Sequence, residues 1–251
     1  MLKEKVDKLV DKYLDEVISI RRHIHQNPEL SLKEFNTAEF IVKELNKIGL
    51  DAQRGRENNG AVSNLNLGKG KKTLMLRADM DALPIQEETN FEFKSKNPGV
   101  MHACGHDVHT SILLGVSKVL NEIKDEINGN VKFVFQPAEE NNPTGGAPLM
   151  IKEGVLKNPH VDNAVALHVW DYPIGTIALK PNAMMSESNR IFITIKGQAS
   201  HASKPHEGHD AIVCAAYLIT QLQTIVSRAI DPSDVVVLTL SKINGGVRYN
   251  V

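Results

Sequence analysis

Cysteine is scarce in this 251-residue chain, with two in all, and the pair stand in unlike surroundings: Cys104 in a polar, glycine-bearing stretch and Cys214 among alanines in a helical pattern. Such a pair gives no disulfide framework, and Cys104 is expected to stay reduced and free as a ligand. Neither sign of charge is in excess, since 29 Lys and Arg face 30 Asp and Glu for a formal net charge of −1. That balance argues against a nucleic-acid partner, which calls for surplus basic charge. No apolar run approaches the ~20 residues of a membrane span, and the N-terminus lacks the charged, apolar, small-residue order of a signal peptide. A cytoplasmic protein with no membrane partner is therefore expected. Internal repeats and low-complexity segments are also missing. What remains, 41% hydrophobic and 24% charged residues, is the profile of a globular protein with one or two domains and a sizeable core.

The richest stretch chemically runs from Met101 to His109, where His102, Cys104, His106 and His109 all carry potential metal-binding atoms. Gly105 lets the Cys104 thiolate and the His106 imidazole turn toward one point. Asp107 is placed to cap an amphipathic helix over Val108 to Ile123. A plainer reading makes Cys104 a small buried hydrophobe and the histidines satisfied polar groups.

Upstream, Leu2 to Ile20 carries apolar residues at three- and four-residue spacing, an amphipathic helix suited to covering a sheet. His23 and His25 follow, read as structural because no carboxylate or thiol accompanies them, and Asn27-Pro28 ends the helix. Asn36 and Thr37 are placed to cap a second helix through Ile48, closed by Gly49. Ala61 to Leu67 and Thr73 to Leu76 read as strands of a hairpin around Gly68-Lys69-Gly70-Lys71, a turn without the spacing of a phosphate-binding loop.

Acidic groups then recur just after apolar strands. Asp79 and Asp81 follow Thr73 to Leu76, either as site residues of an open α/β sheet or as turn formers. Glu139-Glu140 follow the strand Val131 to Gln136, and His168 follows Asn163 to Leu167. Two adjacent carboxylates beyond a buried strand are costly unless a cation or a proton intervenes. A metal would take one and leave the other to handle a proton, as metal-assisted hydrolysis requires. After a break at Pro181 to Glu187 come a strand Ile191 to Lys196, a polar, histidine-bearing loop, a helix Asp210 to Ser227 and a strand Val235 to Ile243. This order suggests a second, smaller domain.

Seven stretches, in order along nearly the whole chain, resemble the di-zinc aminoacylase, carboxypeptidase-G and hippuricase family, in its amidohydrolase branch. They are Arg22 to Leu30, Arg77 to Pro84, His102 to Asp107, Phe135 to Glu140, Ala166 to His168, Gly197 to Ala202, and Gly245-Gly246 with Asn250-Val251. The resemblance implies an α/β fold with a mixed central sheet flanked by helices over residues 1–184. A smaller α+β lid and dimerisation domain would occupy 185–251, incomplete here because family members continue further and supply one more metal-binding histidine. It implies two divalent metal ions, zinc foremost with manganese or cobalt as alternatives, held by Cys104, His106, Glu140 and His168. Glu139 would be the general base, Asp79 a supporting carboxylate behind the ligands, and His201 and Asn250 substrate-binding, His201 reaching across a homodimer. Only the resemblance, not spacing, assigns Glu139 and Glu140 their separate roles. Arg77 stands where related peptidases carry a histidine ligand. The implied reaction is hydrolysis of N-acyl amino acids, with two rivals: a dipeptidase or carboxypeptidase on the same scaffold, and an inactive metal-binding fragment.

Overall fold

The computed structural model describes residues 2–55, 57, 59–65, 72–141, 145–185 and 187–250. It divides into two units, residues 1–188 and 189–251. In the first, α1 (Leu2–Gln26) and α2 (Phe35–Lys47) precede three strands, β1 (Ala52–Arg54), β2 (Ala61–Leu65) and β3 (Thr73–Asp79). Then come α3 (His106–Glu122), β4 (Asn130–Gln136), α4 (Gly146–Lys152) and β5 (Asn163–Ala166). The five strands form one mixed sheet in the order β1-β2-β4-β3-β5, with β1–β2 and β2–β4 antiparallel and β4–β3 and β3–β5 parallel. This is the mixed α/β architecture expected. β4 takes the centre because Val131, Phe133, Val134 and Phe135 bury both of its faces, the pattern of a strand covered on two sides. The Ile20 and Ile24 side chains of α1, Ile41 and Leu45 of α2, and Leu113 and Leu114 of α3 complete the core. Helices α1 and α3 approach so closely that a Cβ on Gly115 would stand 2.7 Å from Val17 Cγ2.

Several local expectations are corrected. β2 and β3 are not a hairpin, because β4 lies between them; the Gly68-Lys69-Gly70-Lys71 turn lies outside the described residues. α1, by contrast, runs through both histidines to Gln26 and ends at Asn27-Pro28 as expected. α2 is capped by Glu29, whose carboxylate accepts from the Asn36 and Thr37 amides at 3.2 and 2.8 Å, a longer side chain reaching orphan donors that the two local residues do not serve. α3 begins at His106 behind left-handed Gly105, and Asp107 makes no cap bond. Its carboxylate turns inward to Arg21 and His25.

In the second unit, α5 (Ala211–Thr224) is capped by Asp210 Oδ1, which accepts from the amides of Ile212 and Val213, each at 2.9 Å. A π-helical turn, Ile225–Ala229, follows. The expected strands Ile191 to Lys196 and Val235 to Ile243 carry no β-ladder, and the pairing in this unit is an isolated antiparallel bridge between Gln198 and His209. Apolar alternation makes a segment competent for a strand, but a strand exists only with a hydrogen-bonding partner. Ala211–Ala229 is a 19-residue helical run of mean hydropathy 1.2, long and apolar enough by length and composition to cross a membrane. The expectation that no stretch comes near a span is corrected to that extent. Scattered Thr, Ser and Gln residues break the apolar run in sequence, while charge is absent between Asp210 and Arg228.

Candidate metal centre

Parallel pairing of β3 with β4 and β5 brings three strand ends together, with Asp79 beside Gln136 and Arg77 beside Ala166 in register. Side chains just past such ends line the crevice where open α/β sheets build sites. Glu139 and Glu140 arrive from β4 after a turn at Ala138, whose φ of 51° is left-handed. His168 arrives from β5, and α3 delivers His106 and His109 one turn apart on one face.

His106 is the meeting point. Donor atoms of Cys104, His106 and His168 all lie within 4.8 Å of one another, and so do those of His106, Glu139 and Glu140. Cys104 Sγ is 3.6 Å from His168 Nε2, and His106 Nε2 is 3.9 Å from Glu140 Oε1. Gly105 sits at φ 80°, and a Cβ there would stand 2.4 Å from Val169 Cγ2. Glycine is thus required both by the turn and by the approach of the His168 segment.

The histidine tautomers suit a cation. His106 Nδ1 lies 3.2 Å from the Asp81 carboxylate, which can only accept, so its proton belongs on Nδ1. Its Nε2 is then a bare acceptor, buried and without a hydrogen-bond partner. His168 donates from Nδ1 to the Val169 carbonyl at 2.6 Å and likewise presents Nε2. An orphaned imidazole nitrogen facing a thiol and two carboxylates is a donor set of the kind that zinc and its neighbours accept.

The electrostatics match. Burial, a hydrogen bond to Glu140 and the charges of Glu140, Glu139 and Asp79 push the Cys104 thiol up to about 12. Burial and the Glu140 charge also raise Glu139. For Asp79, burial acts upward, but the hydrogen bond from His109, the nearby His106 and the Arg77 guanidinium outweigh it and bring the carboxyl down to about 2. Excess negative charge beside a protonated thiol is what a cation would relieve.

Two residues that the sequence offers only as open candidates, Asp81 as site residue or turn former and His109 as a potential ligand, are central. Asp81 accepts from the Glu139 and Glu140 amides at 3.0 and 3.1 Å and from Ser31 Oγ at 2.6 Å, holding the carboxylate pair in place. His109 lies 2.6 Å from Asp79. Both positions carry a sequence signal: Asp81 follows a buried strand, and His109 shares a helix face with His106. His25, read as lacking acidic company, contacts Asp107 at 2.8 Å and Glu87 at 3.1 Å, carboxylates distant in sequence but adjacent in the fold. A cleft of about 590 Å³ runs past Arg21, His102, Cys104, Asp107, His168 and Trp170. His201 and Asn250 belong to the second unit, where the Ala202 amide donates to the Asn250 carbonyl at 3.2 Å and so sets the two segments side by side.

Fold and donor set together define the class: an α/β protein with a candidate metal centre at the carboxyl end of its sheet. Residues 75–246 match the family model for peptidase family M20/M25/M40, and the chain belongs to that family. Among curated relatives, it is 43% identical to an N-acyl-L-amino acid amidohydrolase of Geobacillus stearothermophilus, covering 100% of this chain and 67% of the relative. It is 42% identical to an N-acetyl-L-cysteine deacetylase of Bacillus subtilis (94% and 56%) and 39% identical to thermostable carboxypeptidase 2 of Saccharolobus solfataricus (100% and 64%). A Staphylococcus aureus structure described as an aminohydrolase superposes with a TM-score of 0.76 at 36% identity, covering 100% of this chain and 66% of that one. A dinuclear metal-binding peptidase of Bacillus subtilis gives 0.63 at 37% identity, covering 68% and 47%. The chain thus spans between 56% and 67% of the length of these three curated relatives.

Proposed function

We propose that this chain is the larger part of a metal-dependent amidohydrolase that cleaves the amide bond of N-acyl amino acids. The observation that carries the reading is the convergence of Cys104, His168 and the Glu139-Glu140 pair around the unpartnered His106 Nε2. Cys104, His106, Glu140 and His168 would hold two divalent ions, with zinc first and manganese or cobalt as alternatives. Bound there, such ions supply Lewis acidity, polarising a carbonyl and making water a better nucleophile near neutral pH.

The chain's own residues do the rest. The Glu139 carboxylate, raised by burial and by its neighbour Glu140, takes a proton from the attacking water and passes it to the leaving amine. Asp81 keeps Glu139 and Glu140 pointed apart in role by fixing both amides. Asp79 supports the ligands from behind. Residues 185–251 act as a lid and dimerisation domain, from which His201 donates to the developing oxyanion across a homodimer, worth ~3 kcal/mol, and Asn250 holds substrate. The absence of a disulfide framework and the need for a reduced Cys104 support a soluble, cytoplasmic protein. A carboxypeptidase reading is favoured by the Saccharolobus solfataricus relatives, thermostable carboxypeptidases 1 and 2.

Assay of the complete protein with zinc, manganese or cobalt on N-acetyl and N-benzoyl amino acids, against dipeptides, separates these readings. Turnover of the acyl amino acids in preference to dipeptides is expected, and the reverse preference supports the peptidase. Glu139→Gln should keep bound metal and lose at least ~10²-fold in kcat. Near-normal turnover removes Glu139 from the mechanism.

A further inference from the structure

A third cluster, Asp79, His106 and His109, also gathers its donor atoms within 4.8 Å, yet its hydrogen bonds give it another use. His109 is buried, and both ring nitrogens are engaged. Nε2 accepts from the Val169 amide at 2.9 Å, so it carries no proton. Nδ1 therefore carries the proton and donates it to Asp79 Oδ1 at 2.6 Å. A ring with neither nitrogen free is not a metal ligand. The other oxygen of Asp79 is held by Arg77 at 2.7 Å, and the Asp79 carbonyl accepts from Thr110 Oγ1 at 2.8 Å, so the anchor for His109 is itself fixed.

At its far end His109 grips Val169 by the amide, while the carbonyl of the same residue accepts from His168 Nδ1. The His109 and His168 rings lie 4.5 Å apart, centroid to centroid, at 66°. Val169 is thus held on its N–H by one histidine and orients the next with its C=O. That leaves His168 Nε2 facing the Cys104 thiol at 3.6 Å. We propose that His109 is a positioning residue which, locked as the Nδ1–H tautomer between Asp79 and Val169, fixes the β5 end so that His168 presents Nε2 to the metal centre. The proposal rests on the metal reading above and adds to it a residue, a tautomer and a route of action. Partners of this kind usually contribute 10- to 100-fold to metal affinity.

Three substitutions divide the two contacts. His109→Gln keeps an acceptor for the Val169 amide, His109→Asn keeps a donor toward Asp79, and His109→Phe keeps neither. Zinc affinity by chelator competition in the complete protein should fall roughly 10- to 100-fold in His109→Phe and His109→Asn and be recovered largely in His109→Gln. The thiolate-to-cobalt absorption of the cobalt-loaded protein should shift in the first two and return toward wild type in the third. Ring ¹⁵N NMR of the unsubstituted, metal-free protein should find His109 protonated at Nδ1 alone, a result that needs no variant to fold. Protonation at Nε2, equal zinc affinity in all three variants, or rescue by Asn instead of Gln overturns the proposal. Cys104→Ser and His168→Ala serve as controls. If they too leave zinc binding intact, the metal reading itself fails; if they abolish it while His109→Phe does not, only the positioning role fails.

Discussion

The Cys104 thiol holds its proton firmly, because burial, a hydrogen bond to Glu140 and surrounding carboxylates push it up to about 12. Only the thiolate is a good metal ligand, so binding must expel that proton. Between pH 6 and 9, well below that value, apparent zinc affinity should rise about tenfold per pH unit from this group alone. Competition titrations across that range test it, and Cys104→Asp, whose ligand is already ionised, should flatten the slope. An unchanged slope would remove Cys104 from the ligand set. At this scale the sequence singled out Cys104, His106, Glu139, Glu140 and His168 as candidates, because each follows an apolar strand or adjoins a glycine turn, and the fold brings their donor atoms together around His106. It did not show what Asp81 and His109 do. Their importance lies in partners 58 and 60 positions away, the Glu139 amide and the Val169 amide, and single-residue chemistry carries no trace of such pairings.

Elements were legible where periodicity is long and ambiguous where pairing decides. The 3.6-residue apolar pattern of α1 and the apolar run of β4, broken only by Lys132, both appear where expected, while adjacency of β2 and β3 in sequence suggested a hairpin that the sheet does not contain. Lys132 shows why β4 can nevertheless be central. Its side chain is buried, and Nζ donates to the carbonyls of Val155, Lys157 and Pro159 at 2.8, 2.7 and 3.0 Å, tying the segment after α4 to the sheet. Burial pushes its amine downward, and the three carbonyls compensate the charge. Lys132→Met preserves volume but strips those acceptors of their donor, so a loss of about 2–4 kcal/mol is expected in urea unfolding. A change below ~0.5 kcal/mol would show that water replaces the ammonium at no cost.

For the whole molecule, the network around the sheet's carboxyl end sets a pH window for stability. Asp79 drops from 3.8 to about 2, and Asp81 and Asp107 are also lowered: burial acts upward on each, and the histidines and charged neighbours outweigh it. Groups depressed on folding stabilise above their unfolded values and lose that contribution as pH falls, here between about 4 and 2. For Asp79 alone the difference amounts to about 2 kcal/mol. His25 moves the opposite way, raised chiefly by its hydrogen bond to Asp107 against the effect of burial. Its contribution is full below its unfolded value and fades as pH climbs through the raised one. Burial brings His102 down from 6.5 to about 4, so it opposes His25 and costs stability as pH falls below about 6.5. The carboxylates and His102 together make stability of the metal-free chain fall on the acid side. Denaturation measured from pH 3 to 8 should show the fall on the acid side blunted in Asp79→Asn, and a flat acid limb in the unsubstituted protein would refute the account.

Stability should also differ sharply between the two units. No described residue of 189–250 is buried, whereas Phe133 and Phe135 of β4 are wholly enclosed and the strand is hydrogen-bonded on both sides. Local opening requires little free energy where few apolar contacts are broken, and the full unfolding free energy where the core must part. Amide hydrogen exchange of the metal-free chain should accordingly find β4 and the buried face of α3 among the slowest sites. The segments 191–196 and 235–243 should exchange nearly as fast as unstructured peptide, with α5 between these extremes through its helical hydrogen bonds. Their alternating apolar side chains, Ile191, Ile193, Val235 and Val237 among them, are exposed, which makes both segments competent to pair if a partner strand is offered. Protection in them equal to that of β4 in dilute protein would mean that they form a ladder after all and that the second unit has a sheet of its own. Protection that grows with protein concentration would instead locate the partner strand in another copy of the chain.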